Sequence, residues 1–436
     1  MKIRLPNLKT MKIKLPKLKT MKIKLPQFTP WTVWILILAV FLTAGATAGV
    51  MVLWKGLSLT NLSDKVPWGL WITIDLSSIA ISAGAFSLCA VVYLLGLKKF
   101  QPVARTATFI GLIGYTMAVL TLLLDIGRPD RFWHSMIYWN EHSPLWEVTM
   151  CVALYLGVLT LEALPIFAGF TRLRSHWPKL AEKMSQVHRL APYLAVAGLA
   201  LSMLHQSSLG AIYGILKARP LWYRPDIAVL FIISAIAAGM AMTVFASMVS
   251  SRLSSHANVD NNLLDRVSQI IGWILVVYLY FRFWDALSMT YTYEPGRTEG
   301  LKLLTQGALS FNFWAGEILL GAVIPIILLL NKRTRALPVW RMLAMVLVIG
   351  GVVAYRWDTN LSGLLVYLSY LPGQPLVAYA AYHPSLIEFL AGGGIVSYGL
   401  LAFSLGVRYL RVVDHNVVKV HEVEVKVIEA LPVPGD

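Results

Sequence analysis

The sequence predicts an all-α integral membrane protein that crosses the bilayer about ten times. Of 436 residues, 57% are hydrophobic and only 14% charged, whereas a soluble domain carries roughly a quarter charged residues. Mean hydropathy is +0.65. The apolar residues also fall into runs of about 20, the length at which a helix crosses a hydrocarbon core roughly 30 Å thick. A soluble protein is excluded.

Taken in order, the runs lie at 32–54, 69–97, 106–124, 146–170, 190–215, 226–250, 267–290, 308–330, 339–357 and 385–407. The first carries Trp31, Trp34 and Trp54 at its ends with no clean small-residue cleavage site after it, so it reads as an anchor rather than a cleaved signal. Residues 1–30 are a triplicated decapeptide, MKIRLPNLKT, MKIKLPKLKT, MKIKLPQFTP. Its period is too short for a solenoid and each unit carries a proline, so it reads as a basic tail lying on anionic headgroups. Each unit also begins with Met and could serve as a translation start. Residues 411–436 alternate apolar and polar side chains as a strand would and form a C-terminal extension.

Basic residues set the orientation. With the N-terminus cytoplasmic, 27 of the 38 Lys and Arg fall in the tail, the cytoplasmic connections and the C-terminal end, counting Arg341 at the very start of the ninth run with its connection; nine fall in the opposite loops, and the remaining two, Arg282 and Arg356, fall within runs. The positive-inside bias therefore places both termini in the cytoplasm; the expected setting is the inner membrane of a prokaryote. The net charge of +16 reports topology and anionic lipid rather than nucleic acid.

Ionisable side chains inside a bilayer cost at least a few kcal/mol and are functional candidates by default. Asp75 follows the interfacial run Pro67, Trp68, Gly69, Leu70, Trp71. Asp125, Arg128, Asp130 and Arg131 stand in DIGRPDR at the outer end of the third run, and Glu147 opens the fourth. His205 and Gln206 lie in LHQSSLG, Arg282 and Asp285 near the outer end of the seventh run, and Glu317 in the eighth. Arg356 and Asp358 end the ninth, and His383 and Glu388 begin the tenth. All fall in the outer half of the membrane and could converge on one polar pocket. For several, plain ion pairing is an equal reading: Arg282 and Asp285 stand at i, i+3, and Arg128 can pair with Asp125 or Asp130. Glu162 lies 15 residues beyond Glu147 on one helix, about 22 Å along the axis. That depth suits an inner proton relay, or equally a neutral acid bonded to a neighbouring helix.

Only His205 is well inside a run, which argues against a bis-histidine haem. The two cysteines, Cys89 and Cys151, lie in apolar runs and offer neither a disulfide framework nor a cluster or metal site. No phosphate-binding glycine motif or catalytic triad occurs. A ligand that brings its own redox chemistry fits what remains, and quinone is the natural candidate: an apolar ring whose two oxygens need hydrogen-bond donors and proton acceptors.

PWGLWITIDLSS at 67–78, DIGRPDR at 125–131, PLWEVTMCVALYLGVLTLEALP at 144–165, LHQSSLG at 204–210 and FIISAIAAGMAMTVFAS at 231–247 resemble the NrfD/polysulphide-reductase (PsrC-like) membrane-subunit family. They are most similar to its ten-span, HybB-like branch. The similarity covers nearly all of residues 31–410, which form the membrane domain. It implies two four-helix bundles, from spans two to five and six to nine, with the first and last helices flanking them. It also implies a quinone site near the outer surface, menaquinone by family association, and neither haem nor iron–sulphur cluster in this chain. Carried onto matching positions, it implies Asp75, Asp125, Arg128, Glu147, His205 and Glu317 as the pocket and its proton exits, with Glu162 as an inner relay. Trp71 and Gln206 complete the cofactor-binding set.

The expected function is the quinone-reactive subunit of a respiratory oxidoreductase, inactive alone. Its expected partner is an extracytoplasmic ferredoxin-like iron–sulphur protein with a hydrogenase, molybdoenzyme or multihaem cytochrome. A proton-coupled secondary transporter is the competing expectation, since ten spans with buried charges also suit a carrier. A purely structural anchor would have no use for so many buried charges.

Overall fold

The computed structural model describes residues 29–93, 100–253, 259–410 and 412–413. The decapeptide tail and nearly all of the strand-like C-terminal extension lie outside them. Ten helices are long and apolar enough to cross a membrane: α1, Pro30–Lys55; α2, Leu70–Tyr93; α3, Gln101–Asp125; α4, Pro144–Ala168; α5, Ala191–Gly214; α6, Asp226–Leu253; α7, Asn261–Tyr291; α8, Asn312–Val323 continuing through Ile324–Leu330; α9, Pro338–Leu365; and α10, Leu386–Tyr409. Thr29, Ser143 and Asp260 cap α1, α4 and α7 by accepting backbone N–H groups of the first turn. Ser385 and Glu388 close a reciprocal capping box on α10.

Packing produces two closed rings of four. In the first, α2 lies against α3 and α5, and α4 against the same two; in the second, α6 lies against α7 and α9, and α8 completes the ring. The rings join because α6 also packs along α2 and α5, while α1 and α10 pair outside them, against α3. Three of the close crossings bring glycines together, Gly321 of α8 with Gly351 of α9 among them. A Cβ on Gly84 of α2 would overlap the Ala235 carbonyl of α6, and one on Gly239 would overlap Gly84; Gly45 of α1 and Gly394 of α10 meet the same way. Small residues bring helices together in a bilayer because packing, not apolar burial, must drive their association.

Two departures from the sequence expectation bear on the site. The ninth apolar run ends at 357, and Arg356-Trp357-Asp358-Thr359-Asn360 looks like a helix end, but α9 continues to Leu365. The helix continues because Arg356, Asp358, Thr359 and Asn360 are buried in protein rather than facing lipid or water. In α8, Asn312–Val323 is a π-helix, with the Ile324 N–H bonded to the Leu319 carbonyl five residues back. Outside the membrane, β1 (Val366–Leu368) and β2 (Val377–Tyr379) form an antiparallel hairpin with Tyr367 opposite Ala378. The Leu368 N–H ties it to the Ala218 carbonyl in the loop between α5 and α6.

Candidate functional site: a divided polar core

The first ring encloses a polar core. The Tyr115 hydroxyl of α3 lies 2.6 Å from His205 Nδ1 of α5, and its ring stands edge-on to Tyr155 of α4 at 4.7 Å between centroids. Asp75 of α2 is within electrostatic reach of Tyr115, Tyr213 and Asp125. Asp75, His205 and Gln206 are each no more than 2% exposed, and Asp75 Oδ1, His205 Nε2 and Gln206 Nε2 have no hydrogen-bond partner. Buried polar atoms of that kind are rare and mark a place where a ligand or water belongs. Above this core, Tyr213, Trp222 and Trp68 pack ring on ring. Asn360 of α9 accepts from the Tyr213 hydroxyl at 3.3 Å and donates to the Trp68 carbonyl at 3.0 Å.

A second cluster occupies the other ring. Arg282 of α7 donates to Glu317 of α8 from Nε at 2.7 Å and from Nη2 at 3.4 Å, and its Nη1 pairs with Asp285. Tyr278 donates to Glu317 at 2.7 Å. Asp285 also pairs with Arg224 Nε at 2.6 Å. Two cations, Arg224 and Arg282, here meet two carboxylates, Asp285 and Glu317, as ion pairs. Nearby, Asn312 donates to Asp358 Oδ1 at 2.8 Å.

Arg356 of α9 stands where the rings join. It is 0% exposed. Its Nη2 donates to the Phe231 carbonyl at 3.0 Å, Ser234 Oγ at 3.1 Å and Gln206 Oε1 at 3.4 Å, and its guanidinium sits 3.6 Å from the Phe231 ring centroid. Its Nε and Nη1 have no partner. Among the described residues, no carboxylate pairs with it.

The expected pocket residues thus separate. Asp75, His205 and Gln206 stay together with Tyr115. Glu317 belongs to the second cluster, held by Arg282, rather than to the first-ring pocket. The reason is topological: α8 closes the second ring and faces α7 and α9. Arg128 is exposed and pairs with Asp130 at 3.7 Å. Asp125 is half-buried at the end of α3, and Glu147 is half-buried with Cys151 Sγ at 3.9 Å. Glu162 accepts from Thr108 of α3 at 3.3 Å, toward the opposite end of α4 from Glu147. Trp71 is buried and donates to the Glu388 carbonyl at 3.1 Å, a structural tie between α2 and α10. The same Glu388 accepts from Tyr382 at 2.5 Å and from the Asn61 and Ser385 backbones. Burial first, and this bond second, push the Tyr382 phenol well up from its ordinary value.

On the far face of α2 from Asp75, Thr73, Ile74, Ser77, Ser78 and Ile81 line a groove of about 850 Å³ between α10 and α9. Phe389, Val396 and Leu400 at its rim are 40–56% exposed, so it opens on the membrane-facing surface. Its lining contains no charged side chain.

Residues 58–367 match the family described as polysulphide reductase, NrfD. The chain is 32% identical over 389 residues to the menaquinone reductase integral membrane subunit of Nitratidesulfovibrio vulgaris, covering 86% of this chain and 90% of that one. It is 26% identical to the Hdr-like menaquinol oxidoreductase integral membrane subunit of Archaeoglobus fulgidus, covering 88% and 94%. To the probable Ni/Fe-hydrogenase 2 b-type cytochrome subunit of Escherichia coli it is 25% identical, covering 82% and 88%.

Proposed function

Because the chain belongs to the NrfD polysulphide reductase family, we propose that it is the quinone-reactive membrane subunit of a respiratory oxidoreductase. In this role it exchanges electrons between a menaquinone pool and an extracytoplasmic iron–sulphur or cytochrome partner. One observation carries the reading: a buried Tyr115–His205 pair and a buried Asp75, each with an unpartnered polar atom, within the first ring. The two relatives whose names specify menaquinone or menaquinol support the quinone class.

Reduction of a quinone takes two electrons, supplied one at a time by the partner, and two protons, which complete the two O–H bonds. His205 and Tyr115 are already hydrogen-bonded, so a proton leaving His205 for a ring oxygen can be replaced through Tyr115. Asp75 is the second acid. Trp68, Tyr213 and Trp222 roof the core with aromatic surface and keep bulk water out. On α4, Glu147, Cys151 and Tyr155 recur every four residues, with Glu162 two turns further in. This stripe is the route by which protons would reach the core. Both termini are cytoplasmic in this reading, which puts the core beside the outer compartment.

The experiment is quinone-dependent turnover of the assembled complex, isolated through a tag on this chain, with His205→Ala and Asp75→Asn. Each should lower turnover by about 10²-fold or more, as loss of a proton-transfer group does. Unchanged turnover in both removes the pocket. Solute flux into vesicles holding this chain alone would favour a carrier instead.

A further inference from the structure

A buried arginine in a membrane protein ordinarily faces a carboxylate or a carbonyl oxygen that holds it; here Arg224, Arg282, Arg297 and Arg335 face carboxylates, and Arg341 bonds Asn261 at the start of α7. Among the described residues, Arg356 faces no carboxylate. It is wholly enclosed, bonded only to neutral oxygens and a ring face, and keeps two N–H-bearing nitrogens unpartnered. A guanidinium does not shed its proton in protein, so its charge is permanent. In a dry interior that charge is weakly screened and acts over several ångströms. Gln206, which links it to α5, directly follows His205 in sequence, and its own Nε2 is unpartnered as well. The charge therefore acts on the first-ring core from the side of the second ring, where it reaches Tyr213 beside Asp75, and neither buried Asp75 nor buried Asp358, which Asn312 holds, pairs with it.

We propose that Arg356 is an uncompensated buried cation that sets a positive potential in the quinone core, so that the site favours a ligand whose oxygen carries negative charge over its neutral counterpart. This inference rests on the quinone reading above. When a ring carbonyl gains an electron from the partner, its oxygen becomes an anion until a proton arrives, and a fixed cation nearby favours that electron transfer. Arg356 is a positioning residue in this account. It acts through the field and through Gln206, and no contact with the ring is required.

Gln206→Glu is the sharpest test, because it is nearly isosteric and supplies the missing carboxylate 3.4 Å from Nη2. The probes are lapachol, a 2-hydroxy-1,4-naphthoquinone that is an anion at pH 8, and its neutral O-methyl ether, each titrated against the tagged complex. The wild type should bind the anion at least tenfold tighter than the ether. Gln206→Glu should fold with an unchanged or raised melting temperature and erase that tenfold preference, about 1.4 kcal/mol, read as the ratio of the two affinities in the same variant. Arg356→Met, where it folds, should do the same. A folded Gln206→Glu variant that keeps the anion preference overturns the inference and leaves the quinone reading standing. If neither probe binds the wild type, the quinone reading itself fails and this inference with it.

Discussion

At the scale of single residues, the two polar clusters differ in kind, and the difference is measurable. Removing one partner of a buried ion pair leaves the other charge uncompensated, at about 3–5 kcal/mol. Glu317→Ala should therefore lower stability by about that amount, read as a fall in melting temperature in detergent. Glu317→Gln, which can still accept from Arg282 and Tyr278, should lose less. Asp75→Asn should leave the melting temperature nearly unchanged, since Asp75 Oδ1 has no partner to lose; a large drop would mark Asp75 as a structural acid. Sequence alone exposed these acids and bases because charges stand out in apolar runs. It could not assign Glu317 to Arg282, 35 residues away, since pairing across helices depends on which ring each helix closes. Tyr115, Tyr278 and Asn312 escaped notice because tyrosine and asparagine occur in helices for many reasons, and only their partners reveal them. Arg224 stands in the loop between α5 and α6, and its position between two apolar runs does not reveal that it turns inward to Asp285.

At the scale of elements, ten apolar runs became ten helices because length and hydropathy dictate a spanning helix directly. Their ends were harder to read. The polar stretch after Tyr355 looks like an exit from the membrane when burial is unknown, yet it is the interior of α9. The π-helical stretch of α8 left no mark in hydrophobic pattern, although wide turns of this kind tend to sit at functional sites. Deleting one residue between Phe313 and Gly316 should let the segment relax to α geometry and turn Asn312 by about 100° relative to Glu317. The Asn312–Asp358 bond would be lost while Arg282–Glu317 survives, a result readable as a changed crosslinking pattern between cysteines placed on α8 and α9. On α10, Glu388→Ala removes half of the capping box, worth about 1 kcal/mol, together with the Tyr382 bond. Loosening of α10 should follow, seen as faster proteolysis at the 369–385 loop. Gly84→Val should be far worse, because the new side chain meets the α6 backbone, which cannot yield; no monodisperse protein is expected.

At the scale of the whole molecule, the charge bias predicts that a fluorescent protein fused after Asp436 matures in the cytoplasm, while an alkaline phosphatase fused in the 369–385 loop is active outside. The reverse pattern would invert the site relative to the partner. The groove between α9 and α10 has a further consequence. A trough that the polypeptide leaves open and uncharged must be filled by whatever amphiphile surrounds it, so the bilayer is in effect a part of the fold. Chain length of that filler should then tune rigidity: exchanging long-chain phospholipid for a short-chain detergent should depress the melting temperature and quicken hydrogen exchange along α9 and α10, while α4, on the opposite flank, stays as it was.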